Sequence, residues 1–519
     1  MPWFAPKPLL VPDLLELNSR WLGEKPAVIV DDAEHSWAAF GRGTSRVGNV
    51  LLDLGLVHGD RVIVLMHNSY EMAEVLFGVM RAGLVVVPLN VAVADSAVAG
   101  MIANSGARAV IASDEHMERI GNLGSSLSED VRSRLIGLRS VLPGWLDYER
   151  LRDATPEQLA PIPIGPGDAC NIIYSSGTTG VPKGIVHSHG CRSSWASDLA
   201  VALRYHSGAR TLCNLGLYSN ISWVAMLATV FAGGTLVIQR KFLATDCLKT
   251  IQDQRITHAA MVPVQYQRLL ECDAFDDFDL SSLDATMCCG SPLSVVLKQA
   301  IMKRLSGDFI ELYGLTEGLV TILPPEDMRE KTDSVGRPAP GQHVAILDDQ
   351  DRVLPNGEAG EIVGCSRLMM SGYHDNDAEN EAATWVHPSG DRWLRTGDIG
   401  KVDEDGFVYL VDRKKDLIIS GGQNIYPADI EAVLIRHDTV SEVAVIGIGS
   451  EKWGETPLAV IVPKAGATAD AAEIIAWANA RLGKQQRISA AQFVSELPRN
   501  PNGKVLKREL RRCFASFAA

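Results

Sequence analysis

Eleven consecutive residues, Tyr174-Ser175-Ser176-Gly177-Thr178-Thr179-Gly180-Val181-Pro182-Lys183-Gly184, combine four aliphatic hydroxyls, three glycines and one lysine. Backbone N–H groups, O–H donors and an ammonium on one short turn are the parts that wrap a polyphosphate. The G-x-x-x-x-G-K-[ST] order of a P-loop is absent from it. Further along, Tyr313-Gly314-Leu315-Thr316-Glu317 offers an aromatic that can stack on a base, a glycine that lets backbone approach a ligand, and a hydroxyl beside a carboxylate. That last pair suits a phosphate with its Mg²⁺. Arg395-Thr396-Gly397-Asp398 sets a carboxylate on a tight turn, where it can accept two neighbouring hydroxyls. Asp412-Arg413-Lys414-Lys415-Asp416 runs toward the pair Gly421 and Gly422, which leaves a passage free of side chains. In Pro498-Arg499-Asn500-Pro501-Asn502-Gly503-Lys504, the Asn-Gly turn presents Lys504 on a loop. Taken singly, these motifs have ordinary readings: a surface hairpin, a capping threonine, an Asx turn, a solvated linker and a solubility lysine.

The residues around these motifs read as alternating strands and helices. The spacing predicts a strand over 61–66, a helix over 69–81 with Ser69 as N-cap and a second strand over 84–88, together one βαβ unit. Further buried strands are predicted at 107–112, 170–174, 258–262, 285–288 and 308–312, which argues for α/β layers with largely parallel sheets. Past about residue 340 the texture changes to short strands and turns, as at 344–347, 360–363 and 406–411. A last region carries helices at 427–436 and 471–482 and strands at 443–448 and 458–462, with a boundary at 413–416.

A chain of 519 residues with 46% hydrophobic and 22% charged residues has ample material for several cores, which excludes a disulfide knot and a mainly disordered protein. The net charge of −14 argues against a nucleic-acid binder. Residues 481–519 run the other way, nine Lys or Arg against two Glu, so this tail is suited to meet an anion. Nine cysteines without a C-x-x-C pair give neither a zinc pattern nor a disulfide framework, and a reducing compartment fits. The N-terminus lacks the unbroken apolar core of a signal peptide, and the C-terminus carries no peroxisomal or lipidation signal. The apolar stretch 223–238 is interrupted by Gly233, Gly234 and Thr235 and falls short of the ~20 residues that span a bilayer. A cytoplasmic protein without integral membrane association or nucleic-acid partner is expected.

The eleven-residue string resembles the phosphate loop of the adenylate-forming superfamily, which holds acyl-CoA and aryl-CoA synthetases, peptide-synthetase adenylation domains and luciferases. The usual pattern there is Tyr-Thr-Ser-Gly-Thr-Thr-Gly-x-Pro-Lys-Gly, and Ser175 keeps the hydroxyl where threonine is commoner. The other four motifs follow in that family's order, so the resemblance spans 174–507 and, in length and layout, the whole chain. The resemblance implies an α/β fold with a large N-terminal domain over 1–413, made of two α/β subdomains plus a small β-barrel-like subdomain. A small mobile α+β C-terminal domain over 414–519 follows. It also implies the substrates and cofactors: ATP, Mg²⁺, coenzyme A and a small-molecule carboxylic acid.

Residue by residue, the resemblance assigns Ser175, Ser176, Gly177, Thr178, Thr179, Gly180 and Lys183 to the ATP phosphates. Tyr313 goes against adenine, with Gly290 and Gly314 beside the nucleotide. Thr316 is assigned to the α-phosphate, Glu317 to Mg²⁺, and Asp398 and Arg413 to the ribose. Lys415 matches the hinge, Gly421 and Gly422 the tunnel for the CoA pantetheine arm, and Lys504 the catalytic lysine, so Lys504, Glu317 and Thr316 form the catalytic set. The implied reaction has two steps, acyl-AMP formation with release of pyrophosphate and then thioester formation with release of AMP.

Ser219, Ile221, Ala260, Gly290, Gly314 and Leu319 would line the acyl pocket. No acidic residue occurs in Leu217-Tyr218-Ser219-Asn220-Ile221-Ser222-Trp223, which disfavours an amino-acid substrate, and no carrier domain follows. Small side chains leave room for a bulky apolar tail, so an aryl or arylalkanoic acid is favoured. A medium- or long-chain fatty acid, or delivery to a carrier protein, is the alternative. The oligomeric state is left open, a homodimer included.

Overall fold

A computed structural model describes residues 8–139, 142–175, 182–413, 416–420, 423–450, 453–467, 470–483, 486–499, 503–515 and 517. The chain divides into two compact bodies, one of residues 1–332, 339–342 and 365–383, the other of 333–338, 343–364 and 384–519.

Two sheets build the first body. In one, the strands Gly372–Tyr373, Lys183–Ser188, Ala169–Ser175, Val85–Pro88, Arg61–Leu65, Ala109–Ala112, Leu135–Gly137 and Leu146–Asp147 lie side by side in that order. Pairing is parallel from Ala169–Ser175 onward. Val62, Ile63, Val64, Val85, Val86, Val110 and Ile111 are all but inaccessible, and burial on both faces is why these runs read as continuously apolar rather than alternating. The helix Tyr70–Arg81 completes the expected βαβ unit, and the Ser69 hydroxyl accepts the Met72 N–H at 3.1 Å as its N-cap.

In the other sheet, Pro26–Val30, Thr235–Ile238, Arg210–Cys213, His258–Met261, Ala285–Cys288 and Asp308–Gly314 run parallel in that order. Ala33–Ser36 and Val320–Leu323 add antiparallel strands at either side. The apolar stretch 223–238 resolves into the end of the helix Asn220–Ala232, a left-handed Gly233 (φ 68°) and the strand Thr235–Ile238. Glycine suits that turn because it carries no Cβ to clash. Among the described residues no helix is long and apolar enough to cross a membrane.

The second body holds an antiparallel ribbon, Thr384–Val386, Arg392–Val402 and Val408–Arg413, with Gly360–Ser366 on the other side of Arg392–Val402. Its C-terminal part is organised by the hairpin Val440–Ser450/Gly454–Pro463, flanked by Ile418–Ser420 and by a parallel Ala490–Phe493. Ile418, Ile430, Leu434, Val445, Ile461 and Ile474 form its core. The hairpin strands extend past the expected 443–448 and 458–462 because the ladder continues to Ser450↔Gly454 beyond the buried section. Apolar patterning marks the covered part of a strand, not its hydrogen-bonded length.

Candidate active site

Ser175 and Lys183 stand opposite each other in register, the last strand pair before the turn of the hydroxyl-rich hairpin. Tyr174 anchors this end of the hairpin, its phenol donating to Asn104 Oδ1 at 2.6 Å. Gly184 lies across from it, where a Cβ would come within 3.2 Å of the Tyr174 ring. Ser176, Gly177, Thr178, Thr179 and Gly180 lie outside the described residues, as do Lys415, Gly421 and Gly422.

A segment that the motifs do not mark joins this hairpin to the Thr316-Glu317 turn. Gly372–Tyr373 pairs with Ile185 and Val186 as an edge strand, and Ser371 and His374 N–H groups donate to Val186 and Gly184 carbonyls, each at 2.7 Å. On the other side, Met370 N–H donates to the Glu317 carbonyl at 2.8 Å. Gly318, in a positive-φ conformation (125°), passes so close that a Cβ would meet the Leu368 carbonyl oxygen at 2.3 Å. Side chains complete the link. Lys183 pairs with Glu379 and its ammonium lies 5.3 Å from the centroid of the Tyr373 ring. The Tyr373 hydroxyl donates to Glu317 Oε1 at 2.9 Å. Burial, then the charge of Glu317, raises the Tyr373 phenol, which therefore stays protonated as a donor. Tyr373 and Glu379 are functional candidates that sequence reasoning missed, and a two-residue strand some 190 positions from the hairpin gives periodicity nothing to register.

Glu317 fits the Mg²⁺ assignment. Among the described residues its carboxylate faces a phenol and no cation, which leaves it anionic oxygen for a hard divalent ion, with the Thr316 hydroxyl adjacent. Two residues before Tyr313 the strand turns its charge inward. Glu311 pairs with the buried Lys298 at 2.5 Å, so it serves the fold.

The C-terminal ends of the parallel strands bring the expected pocket residues together, the usual place for a ligand in an open α/β sheet. Ala260 is on His258–Met261, Gly290 just past Ala285–Cys288, and Tyr313 and Gly314 end Asp308–Gly314. Ser219 N-caps the helix Asn220–Ala232, accepting from Ile221 N–H at 3.4 Å. A Cβ on Gly290 (φ 95°) would sit 2.8 Å from Ile221 Cδ1, so these two are in contact. Gly314 and Leu319 meet through the hairpin turn, where Leu315 N–H donates to the Leu319 carbonyl at 3.0 Å. Gly290 and Gly314 are exposed and Tyr313 half-buried, whereas Ala260 and Leu319 are buried. At the opposite ends of these strands lies a His206, His258 and Asp284 cluster. There the Gly208 N–H donates to His206 Nδ1, so the proton of neutral His206 sits on Nε2, facing Asp284 at 3.1 Å, and no lone pair is left there for a metal.

In the second body Asp398 and Arg413 are paired in register on adjacent strands, with Arg413 Nε 3.2 Å from Asp398 Oδ1. Gly397 takes φ 68°, and Asp398 N–H donates to the Thr396 hydroxyl at 3.0 Å, which fixes the carboxylate on its turn. Asp412 Oδ2 accepts the Ala428 N–H at 3.0 Å at the start of the helix Pro427–Leu434, and Asp416 accepts from Arg511 at 2.8 Å. Lys504 is half-buried on a loop closed by the bridge Arg499↔Val505, by Arg499 donating to the Gly503 carbonyl (2.6 Å) and by Leu506 N–H to the Pro498 carbonyl (2.7 Å).

The chain is similar to known proteins over almost its whole length. Residues 16–374 match the AMP-binding enzyme family and 429–504 match the AMP-binding enzyme C-terminal domain. A feruloyl-CoA synthase of Amycolatopsis is 33% identical over 92% of this chain and 94% of its own. A long-chain-fatty-acid–CoA ligase of Mycobacterium tuberculosis, FadD13, is 33% identical over 93% and 94%. Among solved structures, ATP-bound MatB from Rhodopseudomonas palustris superposes with a TM-score of 0.88 at 28% identity, covering 98% of this chain and 99% of that one. The hairpin and the Thr316-Glu317 turn thus sit within the first matched stretch and the Asp398–Arg413 pair between the two, and the chain belongs to the AMP-binding, adenylate-forming enzyme family.

Proposed function

We propose that the protein is an AMP-forming carboxylate–CoA ligase whose preferred acid is aryl or arylalkanoic. The observation that carries this is the first-body cluster in which Tyr373 ties Lys183 of the hydroxyl hairpin to Glu317, beside the open glycines at the strand ends. In the first step a carboxylate oxygen attacks the α-phosphorus of ATP, the bond to the bridging oxygen breaks, and pyrophosphate leaves. Two anions must meet in line, so positioning and charge neutralisation dominate the barrier. Lys183 and the hairpin hydroxyls hold the phosphates, Thr316 the α-phosphate, Tyr313 the adenine, and Asp398 with Arg413 the ribose hydroxyls. Mg²⁺, held by Glu317, would neutralise phosphate charge. Lys504 places a cation on the carboxylate and α-phosphate. In the second step the CoA thiolate attacks the acyl carbon and AMP leaves with its bonding electrons.

The joint that exchanges the two steps is proposed at 413–416, dividing 1–413 from 414–519. Apolar Ile221 against small Gly290 supports a flat bulky acid. The feruloyl-CoA and long-chain relatives support the aryl and fatty readings respectively. A cytoplasmic setting is supported by nine cysteines without a disulfide.

A pyrophosphate-release screen over aryl, arylalkanoic and fatty acids, with and without CoA, tests this. The expected result is the highest kcat/KM with an aryl or arylalkanoic acid, and AMP release accelerated by free CoA. A fatty acid as best substrate would overturn the aryl reading. Thioester formed only on a carrier protein would overturn CoA as the acceptor.

A further inference from the structure

Arg192 is wholly inaccessible, and among the described residues no carboxylate pairs with it. Burial pulls its pKa down to about 10, which still leaves a cation at neutral pH. A charge buried in this way is costly unless its donors are satisfied, and an apolar side chain of similar size would serve packing alone. Its donors are spread over three elements. Nε donates to Asn171 Oδ1 (2.8 Å), Nη1 to Asn220 Oδ1 (2.9 Å) and Nη2 to His187 Nδ1 (3.2 Å). The guanidinium also lies 4.9 Å from the centroid of the Trp223 ring and 5.4 Å from that of Trp195.

Guanidinium can only donate, so His187 Nδ1 must present its lone pair and the imidazole proton resides on Nε2. Nε2–H donates to the Thr316 carbonyl at 2.7 Å. Burial and the neighbouring guanidinium keep this buried imidazole neutral, so the tautomer persists at physiological pH. Asn171 lies on the strand entering the phosphate hairpin, His187 on the strand leaving it, Asn220 beside Ser219 and Ile221 at the head of the acyl-pocket helix, and Thr316 on the turn assigned to the α-phosphate.

We infer that Arg192 is a positioning residue for adenylation: through His187 and Asn220 it fixes the Thr316 turn relative to the acyl-pocket helix. The inference rests on the ligase reading above. Misplacement at a reacting centre shows in turnover more than in binding. Arg192→Met is expected to lower kcat for acid-dependent pyrophosphate exchange about 100-fold while KM for ATP moves less than about threefold. His187→Leu removes the donor to Thr316 and should match it. His187→Gln offers an amide N–H near the Nε2 position and should recover activity to within about fivefold of wild type, as a hydrogen-bond surrogate.

A further readout is independent of turnover. In ¹⁵N-histidine spectra, His187 of the wild type should hold the Nε2–H tautomer at neutral pH, and burial should keep it neutral in Arg192→Met as well. Wild-type kcat in folded Arg192→Met, equal loss in the Leu and Gln variants, or an Nδ1–H tautomer in the wild type would each overturn the inference. If Arg192→Met does not fold, the His187 pair and the wild-type spectrum still decide. A wild type that releases no pyrophosphate with any acid overturns the ligase reading and this inference together, whereas an active wild type with unaffected variants overturns this inference alone.

Discussion

Lys504→Ala is expected to lower acyl-AMP formation by about 10²- to 10³-fold, the usual cost of removing one preorganised charge or donor from a transition state. The reason is the sign of the reactants. A carboxylate approaches a phosphate chain, and a cation set on their meeting point is worth most when the α-phosphorus is crowded by incoming and leaving oxygens. Thioester formation has no such encounter of anions at phosphorus, so the same variant supplied with preformed acyl-AMP and CoA should keep its rate to within about threefold. The loop is closed by Arg499, Gly503 and the Pro498–Leu506 backbone bond, which gives the variant a frame to fold around. Pyrophosphate exchange and single-turnover thioester formation, measured side by side, check this. Equal loss in both half-reactions would remove Lys504 from the adenylation step.

Lys298→Met should be the most destabilising single change near the site, by about 3–5 kcal/mol at pH 8, because it strands the Glu311 carboxylate in the core. Burial already raises the Glu311 pKa against the opposing pull of Lys298. Without Lys298 it rises further. A carboxyl whose folded pKa is raised stabilises the fold fully below its unfolded value, about 4.3, and that contribution is lost as pH rises through the folded value. In the variant the loss extends to higher pH, so its melting temperature should approach that of the wild type near pH 5 and fall away by pH 8. Pairing the change with Glu311→Gln removes the charge and should recover most of the stability. A melting difference that does not vary with pH would rule out a charged Glu311 as the cause.

The parts of the site readable in the sequence were those contained in one local segment. The hydroxyl hairpin announced itself by composition, and the strand entering it by an apolar run that the sheet buries on both faces. Asp398 and Arg413 were singled out separately, and the structure adds that one antiparallel register pairs them. Tyr373 and Glu379 were invisible because their chemistry comes from a distant edge strand that has no periodicity of its own. Arg192 and His187 were invisible for a different reason: in the largely polar run His187-Ser188-His189-Gly190-Cys191-Arg192-Ser193-Ser194 a charged or polar residue looks like an exposed position until neighbouring elements cover it. The inward turn of Glu311 depends on a helix residue, Lys298, that lies 13 positions earlier in the chain. Local pattern specifies which segments carry the chemistry, and tertiary packing decides which side chains connect them.

The Asp412 carboxylate precedes the proposed joint, yet it caps the helix Pro427–Leu434 that follows it. Asp416 and Arg511, by contrast, both lie at or beyond the joint and would travel together. Turning at 413–416 therefore exchanges a charge-assisted bond for water, at a cost of about 1.5–3 kcal/mol if nothing replaces it. A chain that turns at this proposed joint would meet a detent rather than a free swivel, a resting position to be released before the C-terminal part moves. Amide exchange at Ala428 reports that release directly, and exchange as slow as that of the hairpin core would show that the joint does not turn there.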